Sequence, residues 1–144
     1  MRIDFGGGWT DVPPYSEERG GCVCNVAIAL HAIATLRTRR EGETDDVSLI
    51  GGGDAALAQA AIRRAAVSDV TVSLRSEFPV GAGLGGSSAA GVAVNGALSA
   101  WCGSVLERAA LAETSRRIEV EDLGVPGGRQ DHYAAAFGGA LGLW

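Results

Sequence analysis

Residues 79–90 read Pro79-Val80-Gly81-Ala82-Gly83-Leu84-Gly85-Gly86-Ser87-Ser88-Ala89-Ala90. They follow an alternating segment, Val70, Val72 and Leu74 against Thr71, Ser73 and Arg75, that reads as a half-buried strand. They lead into Ser87 to Trp101, an alanine- and glycine-rich run that reads as a tightly packed helix. Glycines between a strand and a helix permit positive φ and close backbone approach, while the helix start offers free N–H groups and partial positive charge. Such a place suits phosphate. Ser87 and Ser88 can cap the helix, or contact phosphate oxygens or Mg²⁺. Three readings stand at this point. Gly81-x-Gly83-x-x-Gly86 matches the dinucleotide fingerprint, which also wants an acidic residue ending a second strand about 20 residues on. Glu107 has that spacing but lies within a helical pattern. The stretch also fits a purely structural glycine turn with a serine cap, or a nucleotide-phosphate loop that works without lysine.

The composition narrows the chemistry. All 12 basic residues among the 144 are arginine. A chain without lysine has no Walker-type phosphate loop, no protein-kinase lysine and no Schiff-base amine. With 17 acidic residues the net charge is −5, which argues against a nucleic-acid partner held by phosphate neutralisation. The length suits one domain, and the 47% apolar and 20% charged shares are those of a globular chain. Cys22, Cys24 and Cys102 have no metal-type spacing, and the first two alternate along an apolar run, as buried strand thiols would. Met1 to Phe5 contains no apolar core of a secretory signal, and the longest weakly polar stretch, 89–102, is too short to span a bilayer. The expectation is a cytoplasmic protein with no membrane partner.

Sixteen of the 22 glycines fall in clusters at 6–8, 20–21, 51–53, 81–86, 127–128 and 138–139, and periodic segments lie between them. Arg2 to Phe5 looks like the end of a strand. Cys22 to Leu30 and Ala32 to Arg39 read as an antiparallel pair or one long bent strand, with a short strand at Val47 to Ile50. Helices are expected over Ala55 to Val67, Leu106 to Asp122 and Gln130 to Phe137. Strands come first and helices later, which predicts α+β and argues against regular βαβ winding.

With these segments in place, residues 79–90 resemble the second motif of the GHMP kinases, a family named for galactokinase, homoserine kinase, mevalonate kinase and phosphomevalonate kinase. Residues 2–15, from Arg2-Ile3-Asp4-Phe5 through Gly8-Trp9-Thr10-Asp11 to Tyr15, resemble the sugar-binding opening of its sugar-kinase branch. Residues 124–133, Gly124-Val125-Pro126-Gly127-Gly128-Arg129-Gln130-Asp131-His132-Tyr133, resemble the segment that supplies its catalytic aspartate. The run around Asp131 is most similar to heptose 7-phosphate kinases, and Gly-Trp-Thr-Asp-x-Pro-Pro looks equally like L-fucokinases. The resemblance implies a ribosomal-protein-S5-domain-2-like fold and ATP-dependent phosphorylation of a sugar or sugar phosphate, at the anomeric hydroxyl as in those branches. ATP and Mg²⁺ are the implied cofactors.

The same resemblance implies roles residue by residue. Asp131 would orient or deprotonate the sugar hydroxyl, with Arg2 holding it ionised. Pro79, Gly81, Ala82, Gly83, Leu84, Gly85, Gly86, Ser87 and Ser88 would bind the nucleotide. Ser87 and Glu119 would contact Mg²⁺, for which one carboxylate and one hydroxyl are sufficient protein ligands. Gly8, Trp9, Asp11 and Tyr133 would meet the sugar; Gly8-Trp9 replaces a Glu-His pair of galactokinases, which argues against galactose. Tyr15 and Tyr133 are the weaker candidates, with a core position as the alternative for either, and Glu121 is read as a surface charge. His31 and His132 are not expected to be ligands, the latter standing where related enzymes have glutamine. The alternatives for these positions are a helix-start carboxylate for Asp131, a surface arginine for Arg2 and a solvated charge near Arg116 and Arg117 for Glu119.

Two departures follow. Family members have residues before the Arg2 strand and a second domain, of comparable size, carrying a third glycine motif. The expectation is therefore that residues 1–144 form the ATP-binding N-terminal domain, truncated at both ends, with exposed apolar surface that favours homodimers. A non-catalytic nucleotide- or sugar-binding fragment and a dinucleotide-binding dehydrogenase domain remain the alternatives.

Overall fold

The computed structural model describes every residue except Gly52 and Val80. One position of the 51–53 glycine cluster and one of the 79–90 loop thus lie outside the described residues. The chain runs β1 (Arg2–Gly6), α1 (Tyr15–Arg19), β2 (Val23–Ala27), β3 (Ala32–Thr38), β4 (Val47–Ile50), α2 (Ala55–Ala65) and β5 (Val70–Ser76). It continues through α3 (Gly86–Trp101), α4 (Arg108–Arg117), a π-helical turn (Ile118–Asp122), α5 (Gln130–Phe137) and β6 (Ala140–Leu143). The fold is α+β, as the sequence predicts.

The strands form two three-stranded sheets, ordered β1-β2-β6 and β3-β5-β4. The first is antiparallel throughout; in the second, β3 runs against β5 while β4 runs parallel to it. Residues 22–30 and 32–39 are therefore not paired with each other, nor are they one strand. Alternation marks a stretch as extended without naming its partner. Between the two strands the Ile28 amide donates to the Met1 carbonyl and the Leu30 amide to the Ile28 carbonyl, so the ladder stops there. The strands-first reading also changes in two places. Helix α2 is a crossover between parallel β4 and β5, and the four-residue β6, too short to alternate visibly, pairs with β2. Cys22 and Cys24 are exposed, because β2 buries Val23 and Asn25 on the opposite face.

The main core lies between α2, β5 and α3. Leu57, Ala61 and Ile62 of α2 meet Val70, Val72 and Leu74 of β5 and Ala90, Val94 and Leu98 of α3, with Ile118 closing the cluster. Each buried leucine or valine contributes about 1.5–3 kcal/mol against exposure, so this layer fixes where α3 begins. Asp54 caps α2 by accepting from the Ala56 amide (2.8 Å), and left-handed Ala66 ends it. A smaller cluster of Met1, Phe78 and Ala89 seats the loop after β5. Among the described residues no helix is long and apolar enough to cross a membrane.

Candidate functional site

The site begins where the chain leaves β5. Phe78 is buried, and the glycine loop turns through Gly81, Gly83 and Gly85, all at positive φ, before α3 starts at Gly86. Among the described residues no side chain caps α3: Gly85, left-handed at φ +73°, occupies the cap position. The first N–H groups of the helix therefore face the loop without a side-chain acceptor, the arrangement that favours an anion. A cavity of about 290 Å³ opens here, lined by Asp54, Phe78, Pro79, Gly83, Leu84 and Gly86, among others. Gly81 and Ala82 also line it, as does Ser87.

Ser87 and Ser88 turn their hydroxyls away from the helix start. Ser87 Oγ donates to Glu119 Oε1 at 2.9 Å and Ser88 Oγ to Glu119 Oε2 at 3.3 Å. Glu119 is only 7% exposed, so it is not the solvated surface charge that its neighbours in sequence allow. It stands in the π-helical turn, which interrupts the single helix expected over residues 106–122. That turn carries the bond from the Leu123 amide to the Ile118 carbonyl, and the Val125 amide takes the Glu119 carbonyl at 2.9 Å. Such widened turns recur at functional sites. Burial alone pushes the Glu119 carboxyl up; the His132 imidazole beside it and the two serine hydroxyls outweigh this and hold it below its ordinary value.

A second carboxylate faces the same space from α5. Asp131 Oδ1 pairs with Arg2 Nε, and Arg2 also reaches the loop through Nη1 to the Gly83 carbonyl (3.4 Å) and its own amide to the Leu84 carbonyl (3.1 Å). Arg2 is thus a partly buried link between β1, the glycine loop and Asp131, and not a free strand-end arginine. Gly85 passes so close to Asp131 that a Cβ there would sit 3.0 Å from the carboxyl carbon. The two carboxylates, Arg2, Ser87, Ser88 and Trp9 all line one cleft of about 330 Å³.

Asp11 holds α5 in place. Its Oδ2 accepts from the Arg129 amide (2.7 Å) and the Gln130 amide (2.9 Å), while Gln130 Nε2 donates to the Gly8 carbonyl at 2.6 Å. A carboxylate at a helix start satisfies orphan N–H groups and matches the helix dipole. Asp11 Oδ1, with one long contact from Gln130 Nε2 (3.4 Å), keeps acceptor capacity toward the cleft. Trp9 projects into solvent, 76% exposed, at the cleft rim.

Tyr133 is not brought to the cleft. Its ring stacks on Phe137 at 5.7 Å, and its hydroxyl donates to Glu113, which also takes Arg129. Burial, then Glu113, raises its pKa. Tyr15 is exposed and lines a separate groove with Trp144, and Glu121 pairs with Arg64 on the surface. The dinucleotide reading loses its frame: α3 leads into α4, with no parallel strand after it, and Glu107 sits exposed at the start of α4. The sequence does not single out Gln130, and His132 is expected only not to be a ligand. Both are buried and line the cleft, but helical spacing does not tell which neighbour a side chain on α5 meets.

Comparison with known proteins places this arrangement. The family model of the GHMP kinases N terminal domain matches residues 48–139. The chain belongs to the GHMP kinase family. A D-glycero-alpha-D-manno-heptose 7-phosphate kinase of Campylobacter jejuni is 33% identical over 159 residues, covering 96% of this chain and 47% of that protein. An L-fucokinase/L-fucose-1-P guanylyltransferase of Bacteroides fragilis is 29% identical, covering 96% of this chain and 19% of that protein. The crystal structure of a D-glycero-D-manno-heptose 1-phosphate kinase from Bacteroides thetaiotaomicron superimposes with a TM-score of 0.85 at 28% identity, over 99% of this chain and 53% of that one. This GHMP kinase chain thus spans about half the length of the heptose-phosphate kinases that it matches.

Proposed function

We propose that this domain carries the nucleotide half of an ATP-dependent sugar kinase site, acting on a sugar or sugar phosphate of the heptose or fucose type. The observation that carries the reading is the convergence of two differently supported carboxylates on one uncapped helix start. Asp131 is paired with a guanidinium and Glu119 with two hydroxyls, both beside the glycine loop. In the reaction the sugar oxygen forms a bond to the γ-phosphorus of ATP while the bond from that phosphorus to the bridging oxygen of ADP breaks. Asp131 takes or orients the hydroxyl proton, and Arg2 fixes the carboxylate in place for that task. Loop amides of residues 81–88 receive the phosphates, Asp11 Oδ1 accepts a sugar hydroxyl, and Trp9 offers an aromatic face.

The chain's residues fit Mg²⁺. Ser87 Oγ, Ser88 Oγ and the Glu119 carboxylate are hard oxygen donors, each hydroxyl already within hydrogen-bond distance of the carboxylate. Among the described residues no group of three or more His, Cys, Asp or Glu side chains could hold a metal, so a cation here would share phosphate oxygens and water. Bound in that way it supplies positive charge to the phosphate oxygens. Transfer from γ-labelled ATP to heptose 7-phosphate, fucose and mannose tests the reading. Nucleotide binding is expected, with little or no transfer by residues 1–144 alone; where transfer occurs, Asp131→Asn is expected to abolish it while nucleotide binding persists. Transfer that survives Asp131→Asn overturns the base assignment, and no nucleotide binding overturns the reading as a whole.

A further inference from the structure

Glu119 has two oxygens and three neighbours. Ser87 takes Oε1; Ser88 and His132 share Oε2. His132 Nε2 lies 3.2 Å from Oε2, closer than the Ser88 hydroxyl at 3.3 Å, although the imidazole meets the carboxylate off the line of a good hydrogen bond. The ring is 2% exposed, and among the described residues neither Nδ1 nor Nε2 has a hydrogen-bond partner of good geometry, so the 3.2 Å contact with Oε2 is what Nε2 meets. Burying an imidazole without hydrogen bonds is costly, and the approach of Nε2 to the Glu119 carboxylate offsets part of that cost. His132 is also the residue after Asp131 on α5. Consecutive residues of one short helix therefore serve the two carboxylates, Asp131 facing Arg2 and His132 facing Glu119.

We infer that His132 is a positioning residue: it holds Glu119 Oε2 so that Oε1 stays turned toward Ser87 and the cation site between them. This rests on the Mg²⁺ reading of Ser87 and Glu119. Without His132, Oε2 keeps only the longer Ser88 contact inside a buried pocket, and the carboxylate is free to rotate away from Ser87. Partners that orient a metal ligand from behind typically govern affinity by about 10–100-fold when removed.

The test compares His132→Gln with His132→Leu, side chains of similar bulk of which only glutamine has an N–H donor. ADP binding is measured by calorimetry on the intact chain, with Mg²⁺ titrated at fixed ADP and again in excess EDTA, alongside Glu119→Gln. His132→Leu is expected to weaken Mg²⁺ affinity about tenfold or more with EDTA-state ADP binding unchanged, and His132→Gln to stay within about threefold of the wild type. If leucine and glutamine behave alike, or if binding falls equally in EDTA, His132 is a packing residue and the inference is wrong. Should the leucine variant fail to fold by thermal melting, His132→Asn, too short to reach Oε2, replaces it with the same expectations. A wild type with no Mg²⁺ dependence, or one that Glu119→Gln leaves unaltered, overturns the metal reading itself and the inference with it.

Discussion

Gly128→Ala isolates the contact that sets α5. A Cβ at residue 128 would lie within 2.5 Å of all three carboxyl atoms of Asp11, so the carboxylate must swing away. The bonds from the Arg129 and Gln130 amides, 2.7 and 2.9 Å, then break. Hydrogen bonds to a charged acceptor contribute about 1.5–3 kcal/mol net, and loss of a helix cap costs about 0.5–2 kcal/mol. Asp11 is half-buried, so about 1.5–2 kcal/mol is the appropriate loss. Alanine offsets this by about 0.4–1 kcal/mol through the unfolded chain, since residue 128 is not at positive φ. The expected net destabilisation is about 1 kcal/mol, measured as the urea midpoint at constant m. Asp11→Ala removes the obstructing atoms, so in that background the sign reverses and Gly128→Ala stabilises by about 0.4–1 kcal/mol. A double-mutant cycle reads the coupling directly. Equal destabilisation with and without the Asp11 carboxylate would refute the reasoning.

Other outcomes follow from single contacts. Gly85→Ala forces a left-handed alanine against Asp131 and is expected to cost about 1–2 kcal/mol in urea unfolding; an unchanged midpoint contradicts the φ argument. Asp54→Ala uncaps α2 and is expected to cost about 1 kcal/mol, with faster amide exchange at Ala56, whereas unaltered exchange speaks against the cap. Glu43, held by the Arg37 guanidinium and the Arg40 amide, is pushed down to about 2. Its folded-state value is depressed, so its stabilising contribution is complete above the ordinary glutamate range and disappears as pH falls toward about 2. A Glu43 carboxyl titration by NMR with a midpoint near 4.5 would contradict the pairing.

Much of this was legible because it is local. Gln130 to Phe137 is a helix over the predicted residues, Ser87 to Trp101 starts one residue early, and the glycine loop sits between a strand and a helix. What the sequence hid is long-range. Alternation in residues 22–39 could not say that β2 joins β1 and β6 while β3 joins β5, nor which face of β2 is buried. The widened turn at Ile118–Asp122 has no compositional mark, yet it carries Glu119. At the site, the family resemblance brought Ser87, Glu119, Asp131 and Arg2 into view. It did not reveal that the serines donate to Glu119, that Asp11 caps α5, or that Tyr133 turns to Glu113.

The proposed site requires residues 81–88 to receive nucleotide phosphates beside Glu119 and Asp131. An amide-resolved NMR titration of the chain with ADP, with and without Mg²⁺, tests it most directly. Saturable shifts of the amides of Gly81 to Ser88 are expected, with Mg²⁺-dependent shifts extending to Glu119. Shifts absent from the loop at millimolar nucleotide, or confined to another face of the domain, would contradict it.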